Sequence, residues 1–253
     1  MMDLSNLENM EYSGRGIVIG MTPNGTPFVN YTLTGRSPSS QARTLEWTED
    51  GISTSPTDKK TLETGNKALL VYDAIKFLEN GLVISNGAQT NLVAQTFQNF
   101  DGSGYTLKNI LKESFRNPYM IEDIDVTAHE PDSPIFTPRI TGILKNNLFA
   151  FGICRRDENG ETSRVYSNGT LKPGQAHFVS TYKGGNESPI VLPFDLNSAL
   201  EMTISENDIG KLNSAFTNAI VCDRDKHFFV ASTTVGLNNN KFSSYNIINR
   251  GDL

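Results

Sequence analysis

Cysteine and histidine are scarce in this chain of 253 residues. Two cysteines, Cys154 and Cys222, are too few for a disulfide framework or a four-thiolate zinc site. Three histidines, His129, His177 and His227, lie far apart with neither HExxH nor HxH spacing, so no metal centre is expected. Basic charge is short as well. The 22 Lys and Arg against 28 Asp and Glu leave a net charge of −6. A nucleic-acid surface needs a basic stripe to displace counterions, so that partner class is excluded. No apolar run approaches the ~18–20 residues of a membrane-spanning helix, so no membrane partner is expected. The opening Met1-Met2-Asp3-Leu4-Ser5 has no basic stretch followed by an apolar one, so a cytoplasmic protein without a secretory leader is expected. GxGxxG after a strand, GxxxxGK[ST] and GxSxG are all missing, which excludes the familiar phosphate cradles and the serine nucleophile elbow.

What is present begins with asparagine punctuation. Asn-Gly tolerates positive φ and marks tight hairpins. Asn24-Gly25 separates Ile17–Ile19 from Pro27–Leu33, and Asn80-Gly81 separates Leu69–Phe77 from Leu82–Ile84. The first arm of that second pair also fits a short helix, but the turn favours a strand. Asp157-Glu158-Asn159-Gly160 joins Leu148–Arg156 to Thr162–Tyr166, with Ile140–Leu144 just before. Further strands are expected at His177–Tyr182, His227–Thr233 and Ser243–Ile248. Helices are expected at Ala88–Phe100, Thr106–Phe115 and Glu206–Val221. In the last, Ser205 is the expected N-cap, and Ile209, Leu212, Phe216 and Ile220 share a face. Glu49–Lys60, rich in Ser, Thr, Asp and Gly, has the composition of a surface loop. Strands and helices come in separate runs, which predicts an antiparallel α+β architecture.

Neither cysteine fits a nucleophile. Cys154 sits in the apolar run Phe151-Gly152-Ile153, and Cys222 is followed by Asp223 and Asp225, which disfavour a thiolate. Four other segments are richer in polar chemistry than loops require. Gly35–Arg43 offers two guanidiniums and several hydroxyls, either as a solvated Ser-rich loop or for phosphate oxygens, which Arg forks suit. Ser85–Asn91 places amides and hydroxyls at a helix start, either as turn and cap or to bind an anion or base edge. His129–Ile140 stiffens two carboxylates and an arginine with three prolines. Gly174–Tyr182 carries His177 in a strand, where a lone histidine is either structural or a ligand contact.

Together these segments resemble the archaeal-type IMP cyclohydrolase family over most of the chain. Tyr12-Ser13-Gly14-Arg15-Gly16-Ile17 is similar to its Y-x-G-R-G-I start, and Gly35-Arg36-Ser37 with Arg43 to its G-R-S…R loop. Ser85–Asn91 resembles N-G-x-Q-T-D, Glu130-Pro131-Asp132…Thr137-Pro138-Arg139-Ile140 resembles E-P-D-x-P…T-P-R-I, and His177-Phe178…Thr181-Tyr182 resembles G-H-F…T-Y. His129 stands where an aromatic is usual, Asn91 where Asp is common, and Ala42 where a polar residue often precedes the arginine.

The resemblance implies one domain over residues 1–253. Its fold would be the four-layer αββα sandwich of N-terminal-nucleophile hydrolases without the nucleophile. It implies closure of the purine ring of FAICAR, the formamido-imidazole-carboxamide ribonucleotide, to give IMP and water in the last step of de novo purine biosynthesis. No cofactor or metal is implied, and the partners are the purine nucleotides and further copies of the chain in a homo-oligomer. Arg36 is then the cationic clamp, Tyr72 a donor to the formyl oxygen, and Glu130 the carboxylate that relays the amide proton. Arg139 holds Glu130 or the phosphate. Asn86, Gln89 and Thr90 contact base or ribose, and Ser37, Arg43 and His177 complete the substrate contacts. Two alternatives stand beside this: an amide hydrolase of the same fold, and a non-catalytic purine-nucleotide binder.

Overall fold

Antiparallel hairpins dominate the computed structural model, which describes residues 2–58, 60, 63, 66–185, 192–196, 200–221 and 228–253. The first expected hairpin is β1 (Arg15–Met21) with β2 (Pro27–Thr34), turning where Gly25 takes φ +87°. After the short helices α1 (Ser5–Glu8) and α2 (Pro38–Gln41) come β3 (Arg43–Thr48) and β4 (Gly51–Pro56). Glu49–Lys60 is therefore largely not a loop. Glu49 and Asp50 turn the chain, and Gly51–Pro56 pairs with β3 on one side and with β5 (Asp73–Leu78) on the other. Its Ser and Thr residues look loop-like by composition, but Ile52 and Thr54 are buried and hold it in the sheet. The arm read as Leu69–Phe77 is divided. Residues Lys67–Leu70 form a helical turn, α3, capped by the Asn66 side chain, and the strand begins only at Asp73.

The chain continues through β6 (Gly81–Ser85), α4 (Gln89–Phe100) and α5 (Leu107–Ser114), the last capped by Thr106, the first residue of the expected helix. A small hairpin, β7 (Met120–Ile121) and β8 (Ile124–Asp125), leads to β9 (Arg139–Lys145), β10 (Leu148–Arg156) and β11 (Thr162–Thr170). Next are β12 (Gln175–Ser180), β13 (Leu200–Thr203), α6 (Ile209–Val221), β14 (Phe229–Asn238) and β15 (Lys241–Asn249). Ser205 does not cap α6. The helix starts three residues later than expected, and the Asp208 carboxylate accepts from the Lys211 amide at 2.8 Å. Cys222 and His227 lie outside the described residues.

Two large antiparallel sheets result, in the orders β13-β12-β1-β2-β14-β15 and β11-β10-β9-β6-β5-β4-β3. Alternation assigns their faces. On β2, Val29, Tyr31 and Leu33 meet the second sheet, whereas Phe28 and Asn30 meet Phe216 and Asn213 of α6. On the second sheet, Val83, Ile143, Ala150 and Cys154 pack under Val93, Phe97, Ile110 and Leu111 of α4 and α5. Burial pushes the Cys154 thiol up to about 12, so it is an inert core residue. The mixed α/β expectation holds, as two sheets facing each other with helices on their outer faces. Arg15 and Met21 mark opposite ends of β1, and the two ends of the sandwich carry different chemistry.

Candidate active site

Arg15 is the first residue of β1 and points to the face shared with Ile17 and Ile19, between the sheets. Burial works against its charge, but Glu130 and the neighbouring phenols of Tyr72, Tyr182 and Tyr31 raise its pKa and keep it protonated. Its Nη2 donates to Glu130 Oε1 at 3.1 Å. Glu130 also lies 3.6 Å from Nη1 of Arg139. Burial pushes the Glu130 carboxyl above its ordinary range; Arg15 and Arg139 pull it back, and Asp132 adds to the rise. The Arg15 Nε is buried with no hydrogen-bond partner among the described residues, and so is the Ser13 hydroxyl.

The segment carrying Glu130 is stiffened by its own hydrogen bonds. The Glu130 amide donates to the Thr137 carbonyl at 2.9 Å, and the Thr137 amide donates to Asp132 Oδ1 at 2.7 Å. Thr137 Oγ1 gives its only proton to Asp132 Oδ2 at 2.5 Å. The Tyr182 hydroxyl, 3.0 Å away, must therefore donate to Thr137. Tyr182 in turn stacks on Tyr12 at 5.4 Å, and the Arg36 guanidinium lies over the Tyr12 ring at 4.8 Å. Gly14 permits this stack: its φ is +72°, and a Cβ there would come within 2.7 Å of the Tyr182 ring.

These groups enclose a cleft of about 260 Å³. Arg15, Glu130, Asp132 and Thr137 reach it from below, and Tyr12 and Tyr182 form one wall. Arg36, Ser37, Ser39 and Ser40 form the lip. Ser37 is held there as the cap of α2, accepting from the Ser40 amide at 3.1 Å. Arg15 and Arg36 line the cleft with Glu130 and Asp132, and the buried Arg139 behind Glu130 adds a third cation, which tips the balance at this end of an acidic protein toward positive.

The other expected site residues stand behind this cleft. Arg139 is buried, donating from Nε to the Ala128 carbonyl at 2.9 Å and from Nη1 to Gln89 Oε1 at 3.2 Å. Gln89 donates to Asn86 Oδ1 at 3.0 Å, and Asn86 also accepts from the Ile140 amide and donates to the Pro138 carbonyl, both at 2.8 Å. Asn86 and Gln89 thus anchor Arg139 and do not line the cleft. A Cβ at Gly87 would lie 2.6 Å from Arg139 Nη1, so glycine is needed for this approach. Thr90 bonds to the Ser85 hydroxyl and the Gly87 carbonyl. Arg43 is buried, tying its Nε to the Ser40 carbonyl at 2.9 Å and so bracing the lip.

Two expected contacts are displaced. The Tyr72 hydroxyl meets the Tyr31 hydroxyl at 2.7 Å, beneath Arg15, and Tyr72 does not line the cleft. Burial, then Tyr72, holds the Tyr31 phenol well above its ordinary value, so that hydroxyl stays neutral. His177 lies toward the far end of the sandwich, paired with Ile19 and stacked at 4.5 Å on Phe149, where burial depresses its pKa. His129 packs edge-on to Phe136 at 5.7 Å. Arg15 and Tyr182 line the cleft although neither is among the expected contacts. A basic residue inside an otherwise apolar strand start was the available signal for Arg15.

A family model described as IMP cyclohydrolase-like protein matches residues 12–227. The chain belongs to that family. An IMP cyclohydrolase of Methanocaldococcus jannaschii is 28% identical over 174 residues, covering 68% of this chain and 73% of the relative. One from Methanococcus aeolicus is 26% identical over 172 residues, with 68% and 74% covered. One from Methanococcus maripaludis is 32% identical over 172 residues, with the same coverage. The segments around Arg15, Arg36, Asn86, Glu130 and Tyr182 meet at one end of the sandwich, whereas His177 lies toward the other. Thr181 completes the junction, accepting from the Arg15 amide at 3.2 Å and from Asn86 Nδ2 at 3.4 Å.

Proposed function

We propose that this chain is an IMP cyclohydrolase that closes the ring of FAICAR to give IMP and water. The observation that carries the reading is the buried Arg15–Glu130–Arg139 cluster, with its unpartnered Arg15 Nε, opening into a cationic cleft. In the reaction the carboxamide nitrogen attacks the formyl carbon, and the formyl oxygen leaves as water after taking one proton from that nitrogen and one from the formamido nitrogen. An amide nitrogen is a poor nucleophile, so holding it against the formyl group supplies much of the rate. The Arg15 guanidinium is the donor for the negative charge that grows on the formyl oxygen. Glu130 takes the proton from the nitrogen and passes it to that oxygen, and its raised pKa suits both halves of the transfer. Arg36 and the lip hydroxyls hold the phosphate. Tyr72 acts through its hydroxyl pair with Tyr31, beneath Arg15. Asn86, Gln89 and Thr90 fix Arg139 and through it Glu130.

The fold reading that goes with this function is the αββα sandwich of N-terminal-nucleophile hydrolases, supported by the succession of helix, sheet, sheet and helix. The test is an absorbance assay of purified protein on FAICAR beside calorimetry with IMP. Turnover with Glu130→Gln inactive yet still binding IMP is the expected result. Binding of IMP without turnover would make the chain a nucleotide binder, and release of ammonia from an amide substrate would make it a hydrolase.

A further inference from the structure

The end of the sandwich opposite the cleft holds a depression of about 930 Å³, walled by the β1–β2, β9–β10 and β14–β15 turns and the start of α6. Eight of the chain's 25 asparagines line it. Backbone geometry explains three of them, because Asn146, Asn239 and Asn240 take positive φ. It does not explain Asn147, Asn207, Asn238 and Asn246. Some amides hold the walls together. Asn240 and Asn146 bond reciprocally, joining the turn of one sheet to the turn of the other, and the Asn24 amide donates to Asn207 Oδ1 at 2.9 Å. Asn246 Oδ1 accepts from the buried Asn213 at 2.8 Å, which fixes its side-chain orientation. The side chains of Asn147, Asn238 and Asn239 have no hydrogen-bond partner among the described residues.

The floor is apolar, formed by the buried Met21, Ile209 and Leu237. Tyr245 stands at the rim, half-exposed, stacked on Trp47 at 4.5 Å. Among the described lining residues Asp208 is the only ionisable side chain apart from the Tyr245 phenol, and its carboxylate is engaged at the start of α6. Such a site offers a flat apolar surface, an aromatic platform and paired amide donors and acceptors, with no cation for a phosphate. A heteroaromatic base has apolar faces and a donor–acceptor edge, the pattern that asparagine amides read in pairs and aromatic rings stack upon.

We infer that this depression is a second ligand site, which binds a neutral nucleobase or nucleoside about 20 Å from the catalytic cleft, the length of β1. Trp47 is the only tryptophan in the chain and reports on it through Tyr245. The experiment titrates the full chain with hypoxanthine, inosine, adenosine and uridine while following Trp47 emission, with IMP held saturating to occupy the cleft. A disaccharide serves as the neutral polar control. A saturable change with Kd below about 1 mM is expected from at least one base or nucleoside. Asn238→Leu and Asn147→Leu, neither at a positive-φ position, should each weaken it at least tenfold while leaving turnover of FAICAR unchanged. No saturable response, a response that survives both substitutions, or a response to the disaccharide alone would overturn the inference. The outcome is independent of whether FAICAR is the substrate at the other end.

Discussion

Replacing Arg15 by methionine tests the electrostatic core of the site. The Arg15 and Glu130 side chains are 10% and 4% exposed, so solvent screens their 3.1 Å contact little. At an effective dielectric constant of about 20, a pair at that distance attracts by about 5 kcal/mol. Removing one partner of a buried pair commonly costs about 3–5 kcal/mol, because the other charge is left unpaired. Arg139 remains 3.6 Å from Glu130, which places Arg15→Met near the lower end, about 3 kcal/mol. Glu130 can also escape by taking a proton. For an ordinary glutamate at pH 7.5 that costs about 4 kcal/mol, and less here, because burial has already raised the carboxyl. The sign follows. Without Arg15 the folded-state pKa of Glu130 rises further above its unfolded value, so the folded form binds the proton more tightly. The deficit is then largest at high pH and shrinks as pH falls through that raised pKa. Urea denaturation of the wild type, Arg15→Met, Glu130→Gln and the double variant at pH 5.5 and 8 measures it. A coupling of about 1.5 kcal/mol or more at pH 8, smaller at pH 5.5, is expected. Additivity within about 0.5 kcal/mol at both pH values would refute the reasoning.

Arg36→Ala should raise KM for FAICAR by about 10–100-fold with a smaller effect on kcat, the loss of one charge-assisted contact to a phosphate; equal losses in both parameters would place Arg36 in the chemical step. Tyr72→Phe and Tyr31→Phe each leave a buried hydroxyl without its partner and should cost about 1–3 kcal/mol in urea unfolding, with the double variant recovering part of the loss. Gly14→Ala meets the Tyr182 ring in a backbone conformation that disfavours side chains, and a fall of about 2–8 °C in Tm is expected. The acid limb of the kcat/KM profile should lie above the ordinary carboxylate range, and Arg15→Lys should move it by less than Arg15→Met does.

Local signals made the hairpins legible. Asn24-Gly25 and Asn80-Gly81 mark turns because positive φ is a property of a few residues, whatever surrounds them. Helices α4 and α5 were equally readable, since Thr106 caps its own helix. The misread stretches are those where a neighbour decides. Gly51–Pro56 has a loop's composition and becomes a strand only because β3 and β5 flank it. Residues Lys67–Leu70 become a helical turn because the Asn66 side chain accepts from the Ala68 amide at 3.1 Å, ahead of the strand.

The same division runs through the site. Residue types and their order along the chain were enough to point to the family and to single out Arg36 and Glu130 as charged groups of the cleft, because those rest on functional groups. Depth and direction were not readable. Strand register sends His177 toward the far end of the sandwich against Phe149, and it sets Tyr72 beneath Arg15, out of the cleft. It also brings Arg15 to Glu130 across 115 residues of chain. Sequence carries the identity of each charge. Its pKa, its partner and its access to a ligand come from burial and long-range packing, which exist only once the two sheets have closed on each other.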